Sequence, residues 1–487
     1  MLIPLEYSVV STGAPKPHGI HPKLILAVLS LAGVSYSILS SAVIPALTPL
    51  EHSLHSSENA VAWLLTGYLL SASVGTAIIG RLGDMYGKER LLVTTLVMLS
   101  VGTLISALST SLEVMVIGRI IQGAGGGIFP LAFGIVRDEF PADEVAGSIG
   151  LLSSILGIGG GIGIVLGGLI IEHLDYHWLY WIPLVVSFSA AIATWRFVPE
   201  SPVRVPGKIN WVAAALMTAG FSCVLIAISE TIAWGWGSPK TLGLLAVGIV
   251  LSVAWVWVEV HSKVPLIDMA MMRLRGVWTT NLVAFLLGAG MYASFLLYPQ
   301  FAQLPKSTGF GFGASTVVAG LYLLPAALGM SLLGSFAGRV ARRYGSKLAV
   351  IAGSAVTAVG FGLLAAFHAH PINMLISAAF LGVGIGLAFA ALGNLMVQAV
   401  PPEQTGVATG MNTVMRTLGG ALGGQIAATL VADNVSHGLP TVTGFTTSFA
   451  LEAAFLVAAV VAGALVPTAR RARVPRVLDG ELVQEAR

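Results

Sequence analysis

Two arginines stand where an apolar chain tolerates them least. Arg119 lies in the middle of "VMVIGRIIQGAGGGIF" (114–129) and Arg416 in "NTVMRTLGG" (412–420). A guanidinium keeps its proton and presents five donors, so the chemistry open to it is charge recognition and hydrogen bonding. Proton carriage needs carboxylates, and few lie in apolar surroundings. Glu452 sits deep in "SFALEAAFLV" (448–457), whereas Glu113 and Glu230 stand at the ends of apolar runs. No nucleophile–base constellation accompanies them. "GDMYGK" (83–88) has three residues between its glycines, and a phosphate-binding loop needs four before Gly-Lys. His173 and His177 flank Asp175 at a spacing that a metal could use on a helix, but the stretch reads as a loop. The expectation is no metal, no cofactor and no bond-making activity.

The elements that hold these residues are set by composition. The chain has 487 residues, 56% hydrophobic and 10% charged, with mean hydropathy +0.88. A soluble domain carries about 25% charged residues. Fourteen apolar segments follow, near 24–47, 60–80, 91–109, 113–136, 146–171, 179–198, 209–230, 241–260, 277–302, 313–337, 348–367, 372–397, 404–432 and 445–466. Most reach the roughly 18 residues of a spanning helix. Arg119 falls in the fourth, Arg416 in the thirteenth and Glu452 in the last, and an ionisable residue inside a span marks function by default. With this count, every lysine and arginine except Lys240, Lys306, Arg119 and Arg416 falls in loops or tails on one face. That asymmetry places both termini in the cytoplasm. The single cysteine, Cys223, excludes an internal disulfide, no cleavable signal is expected, and the net charge of +3 needs no nucleic-acid partner.

"GRLGDMYGKE" from Gly80 is echoed by "GRVARRYGSK" from Gly338, each just after the second helix of a half. The offset of 258 residues exceeds the roughly 180–200 that six spans need. The excess is one helical hairpin. The expected organisation is a cytoplasmic tail (1–23), a six-helix bundle (24–198), a linker with two extra helices (199–275), a second six-helix bundle (276–467) and a tail (468–487). An all-α polytopic membrane protein of two such halves has a transporter architecture, with substrate held between the halves.

The stretch "GRLGDMYGKER" (80–90) resembles the cytoplasmic signature of the major facilitator superfamily, and "GRIIQGAGGG" is similar to that superfamily's arginine motif. Gly150, Gly159, Gly163, Gly167 and Gly168 match the spacing of its antiporter signature, with Ile164 where the family has proline. The fourteen-span count, "WGWGSP" (234–239) and "PLIDMAMMRLR" (265–275) resemble the drug:proton antiporter branch. That resemblance implies the major facilitator fold, alternating access, and export of amphiphilic or cationic small molecules in exchange for protons. It also implies a monomer in the cell membrane whose partners are a small-molecule substrate and the lipid bilayer. It assigns gating and coupling to Arg81, Gly83, Asp84, Gly87, Arg90 and Arg119, and Glu452 joins them as the deepest acid of the apolar runs. The branch's first-helix aspartate corresponds to Tyr36 here, and no acid occurs between Lys23 and Pro49. Tyr36, Gln122, Asn281, Tyr292, Asn394, Gln398, Asn412 and Arg416 are candidate cavity residues, Arg416 either facing substrate or bridging helices. Glu452 either faces an outer vestibule or pairs structurally. Uptake or uniport of a metabolite, dedicated export of a lipid or natural product without proton coupling, and a non-transporting receptor are the other readings.

Overall fold

Among the described residues, thirteen helices are long and apolar enough to cross a membrane. The computed structural model describes residues 21–201, 203, 208–436 and 438–467, so the tails expected at 1–23 and 468–487 lie outside the described residues except at 21–23. The first six long segments are α1 (Pro22–Ser41), α2 (Glu58–Tyr86), α3 (Lys88–Leu108), α4 (Leu112–Glu139), α5 (Ala142–His173) and α6 (Trp178–Phe197). The hairpin is α7 (Trp211–Ser229) and α8 (Pro239–His261). Then come α9 (Arg275–Gln303), α10 (Leu324–Tyr344), α11 (Ser346–Ala366), α12 (Pro371–Ala399), α13 (Thr405–Asp433) and α14 (Val442–Leu465). Glycine and threonine dilute the hydropathy of α13, which lies outside the thirteen although it packs against α2, α9 and α14.

Prolines shape the ends. α1 stops at Ser41, and Pro45 sits in a short 3-10 turn, Ile44–Ala46. The segment expected at 313–337 is broken into Thr316–Leu321 and α10, with Pro325 in the first turn of α10. Proline lacks the N–H that would continue a preceding helix's hydrogen bonds, so it fits the start of a new turn. α4 tightens to 3-10 geometry at Gly123–Gly127.

Buried side chains form one core centred on α1–α6, which takes in Val397 of α12, and another centred on α9–α14, which takes in Ile164 of α5. A third joins the hairpin to α2 and to the facing ends of α12 and α13. α7 meets α8 at Gly220 and Gly248, where a Cβ on Gly220 would lie 3.0 Å from the Ser252 nitrogen. Trp236 Nε1 donates to Thr429 Oγ1 (3.0 Å), tying the hairpin to α13. Buried Glu259 accepts from Trp255 Nε1 (3.1 Å) and from the backbone N–H groups of Leu266 (2.8 Å) and Ile267 (3.2 Å), which fixes the chain leaving α8.

The two halves touch along two glycine crossings. Gly80 on α2 lies against Gly406 on α13, and the repeat-equivalent Gly338 on α10 lies against Gly147 on α5. A Cβ at Gly80 would overlap the Gly406 carbonyl, whereas one at Gly424 meets nothing within 4 Å. Gly80→Ala is therefore expected to destabilise the protein by about 1–3 kcal/mol through overpacking. Gly424→Ala is expected to be neutral or slightly stabilising. Thermal unfolding of the purified variants checks this, and equal midpoints would refute the close crossing.

Candidate functional site

The first part of the site is the charged end of the α2–α13 crossing. Gly87, at φ +114°, ends α2 and starts α3, a conformation that favours glycine. Gly83 faces Leu131 with no room for a Cβ. Asp84, one turn before Gly87, is buried. Its Oδ1 accepts from the Gly406 N–H (3.2 Å) and its Oδ2 from the Val407 N–H (3.1 Å). Those N–H groups are among the four that the first turn of α13 leaves unpaired, so a carboxylate from one half caps a helix of the other. Lys88 is fully buried and joins Asp138 (2.6 Å) to Asp84 (3.7 Å). Its stem crosses Gly134, where a Cβ would lie 2.7 Å from Cδ and Cε. Ser201 Oγ donates to Asp138. Arg137 reaches across the seam to Thr405 Oγ1 (2.6 Å) and the Val400 carbonyl (2.9 Å). Sequence reasoning missed Arg137, Asp138 and Thr405 as parts of this cluster and took Lys88 for a surface charge. The adjacent Arg-Asp pair closing the fourth span was the available signal. Arg90 is exposed and pairs with Glu200 at 3.4 Å, a contact of small energetic weight. Arg81 is half-buried, and its Nε lacks a partner.

The second part is Arg119, which is fully buried. Its Nε donates to the Leu64 carbonyl (2.8 Å), and its Nη1 to the Leu39 carbonyl (3.1 Å) and Gln122 Oε1 (2.9 Å). Its Cζ lies 4.2 Å from the Tyr68 ring centroid. Leu39 is in the last turn of α1, the negative end of that helix's dipole. Carbonyls, an amide and a ring face thus take the place of a counter-ion. Gln122 is fully buried and passes the contact on through Nε2 to Ser106 Oγ on α3 (3.2 Å), so it is a bundle residue and not a cavity residue. Arg119 therefore locks α1, α2, α3 and α4 together.

Among the small voids between the halves are three lined by described residues. Phe129, Phe389, Asn412 and Arg416 line one of about 20 Å³. Tyr36, Tyr292 and Arg416 line another of about 30 Å³. The third, about 70 Å³, lies between Tyr292 and Leu225 and Ser229 of the hairpin. At the end away from the charged cluster the halves part around a cavity of about 740 Å³, lined among others by Pro45, Gly168, Glu172, Pro299 and Gln300. Tyr36 packs 6.0 Å from Tyr68 and 6.1 Å from Phe129.

The remaining expected residues divide. Asn412 Nδ2 donates to Asn281 Oδ1 (3.0 Å) and the Thr280 carbonyl (3.3 Å), which makes Asn281 a bridge within the second half. Asn394 Nδ2 crosses the seam to the Ala146 carbonyl (3.2 Å). Gln398 does not line a void: two residues past Met396, it points off another face of α12 and is exposed. Gly159, Gly163 and Gly167 face α1 so closely that no Cβ fits, whereas Gly150 faces Gly334 of α10 and Gly168 lines the large cavity. Glu452 neither faces the vestibule nor pairs: it is fully buried, and both carboxylate oxygens lack partners. It lies on the face of α14 that carries Phe445, Phe449 and Leu456.

Two helical bundles meeting at glycine crossings, with an aromatic and polar gap between them, are the architecture of a polytopic transporter. The chain belongs to the Major Facilitator Superfamily, whose sequence profile matches residues 29–424 and 280–483. It is a multi-pass protein of the cell membrane, and its relatives include drug-resistance transporters. The tetracenomycin C resistance and export protein of Streptomyces glaucescens is 27% identical over 382 residues, covering 77% of this chain and 70% of that protein. Multidrug resistance protein 3 of Bacillus subtilis (strain 168) is 27% identical over 361 residues, 71% of this chain and 67% of its own. The proton:xylose symporter XylE of E. coli superposes with a TM-score of 0.64 at 17% identity, over 92% of this chain and 96% of that one, a likeness of fold.

Proposed function

We propose that this transporter exports amphiphilic small molecules by alternating access in exchange for protons. The carrying observation is the asymmetry of the seam: Asp84 and Arg137 close it at the charged end, and a cavity of about 740 Å³ separates the halves at the other. Relatives named for resistance and export support the outward direction. The arrangement is read as fourteen spans with α13 among them and both termini cytoplasmic, the halves 24–198 and 276–467 flanking the hairpin of 199–275. No cofactor and no bond-making step is needed: the substrate and the bilayer are the partners, the unit is a monomer, and the proton gradient supplies the energy. Glu452 is the proposed proton carrier, being a fully buried carboxylate with both oxygens free of partners.

Efflux of a preloaded amphiphilic dye from an efflux-deficient host, with and without an uncoupler, tests this. Collapse of the gradient is expected to stop efflux. Glu452→Gln is expected to lose at least about tenfold of gradient-driven efflux while keeping dye exchange across vesicles, because it removes only the proton site. Efflux that survives the uncoupler favours a second reading, export without proton coupling. The absence of any acidic residue lining the three inter-bundle voids among the described residues supports that alternative.

A further inference from the structure

The two intramembrane arginines are treated differently by their surroundings. Arg119 spends Nε and Nη1 on two carbonyls and an amide inside one bundle, with Nη2 left without a partner. Arg416 lies between the bundles and borders two of the three voids. Its guanidinium stands 4.7 Å from the Phe389 ring centroid, and its buried Nε has no hydrogen-bond partner. Among the described residues no aspartate or glutamate lines any of the three voids, and Glu452 borders none of them. The voids at Arg416 therefore hold a fixed positive charge that no carboxylate among their described lining residues neutralises, and Glu172 lines the separate large cavity. The charge is permanent, since a guanidinium does not titrate in the working range.

An unpaired donor on a permanent cation in apolar surroundings is unfavourable until an acceptor arrives. A carboxylate or phenolate placed there forms charge-assisted, fork-like hydrogen bonds with Arg416. A permanent cation placed there meets repulsion. The surrounding surfaces are aromatic: Phe389 and Phe129 line one void at Arg416, and Tyr36, Phe129 and Tyr292 line the other. Ring faces suit a flat, apolar body.

We infer that the gap selects acidic aromatic amphiphiles, with Arg416 binding the acidic group and the ring-lined walls holding the aromatic body. This rests on the transporter reading and sharpens it: the preferred substrate carries negative charge, in contrast to the cationic substrates that the family resemblance implies.

Two dyes on one xanthene frame test the inference, fluorescein as the anion and rhodamine 6G as the permanent cation. Binding of each to the purified full-length protein is measured by fluorescence anisotropy, and export of each from loaded vesicles is measured in parallel. Fluorescein is expected to bind at least about tenfold more tightly than rhodamine 6G. Arg416→Gln is expected to weaken fluorescein binding about tenfold and to strengthen rhodamine 6G binding. Arg416→Lys is expected to keep most of the fluorescein affinity, because it keeps the charge. Equal binding of the two dyes by the wild type, or fluorescein binding insensitive to Arg416→Gln in a monodisperse variant, overturns the inference. Export of rhodamine 6G but not fluorescein overturns it while leaving the exporter reading standing. Failure to bind or export either dye removes both.

Discussion

Asp84→Asn is expected to open the charged end of the seam and to reduce net export at least a hundredfold. The carboxylate gives one oxygen to the Gly406 N–H and the other to the Val407 N–H. An amide keeps the shape but offers one oxygen and turns an NH₂ toward the second donor, leaving a buried N–H unpaired. Charge-assisted bonds contribute about 1.5–3 kcal/mol each, and a negative charge at a helix N-terminus up to about 2 kcal/mol when partly buried. A net loss of about 3 kcal/mol shifts a two-state equilibrium roughly a hundredfold. The bundles themselves should survive, because Lys88 keeps its closer partner, Asp138. A cysteine at Val407, in a background where Cys223 is serine, reports the opening. A membrane-impermeant maleimide should label it at least tenfold faster from the charged face in Asp84→Asn. Unchanged labelling with normal export would show that the cap does not hold the seam. Arg90→Ala is the contrast, with little expected effect, since Arg90 is exposed and its pairing with Glu200 is solvated.

The same cluster shows what could be read from the chain and what could not. The repeated glycine-rich turn marked where the halves approach, and Asp84 stands in its first copy, between Gly83 and Gly87. The burial of Lys88 was not legible. It depends on Gly134 making room for the stem and on Asp138 accepting the ammonium, both far along the chain. Hydropathy recovered most helices because each buries or exposes apolar surface along its length. It underrates α13, whose glycines and threonines serve close packing against α2 and α9: Gly419 meets the Phe285 backbone and Gly410 the Thr76 backbone. The glycines of α5 carried a usable signal. Positions 159, 163 and 167 recur every four residues and mark one face, toward α1, while 150, 157 and 161 mark another, toward α10. Gln122 stands in the same motif as Arg119, but that arginine's carbonyl partners on Leu39 and Leu64 had no signature, because carbonyls exist at every residue.

Arg119→Ala is expected to lower stability by about 3–5 kcal/mol, and export with it, by an amount independent of pH. Truncation empties a fully buried site and strips the Leu39 carbonyl and Gln122 of a charged donor, each buried unmet group being unfavourable by about 1–3 kcal/mol. Arg119→Lys should recover only part of this. Its donors radiate from one nitrogen, whereas Nε and Nη1 of the guanidinium serve carbonyls on two different helices. Thermal unfolding and dye efflux of the same variants, each followed across pH 6–8, separate a lock from a coupling residue. None of the hydrogen-bond partners of Arg119 is a carboxylate, so loss of the lock leaves the pH profile of the remaining efflux unshifted. An Arg119→Ala protein that unfolds at the wild-type midpoint yet exports without regard to the proton gradient would instead assign Arg119 to coupling, and would require a different conformation in which it leaves the carbonyls for an acid.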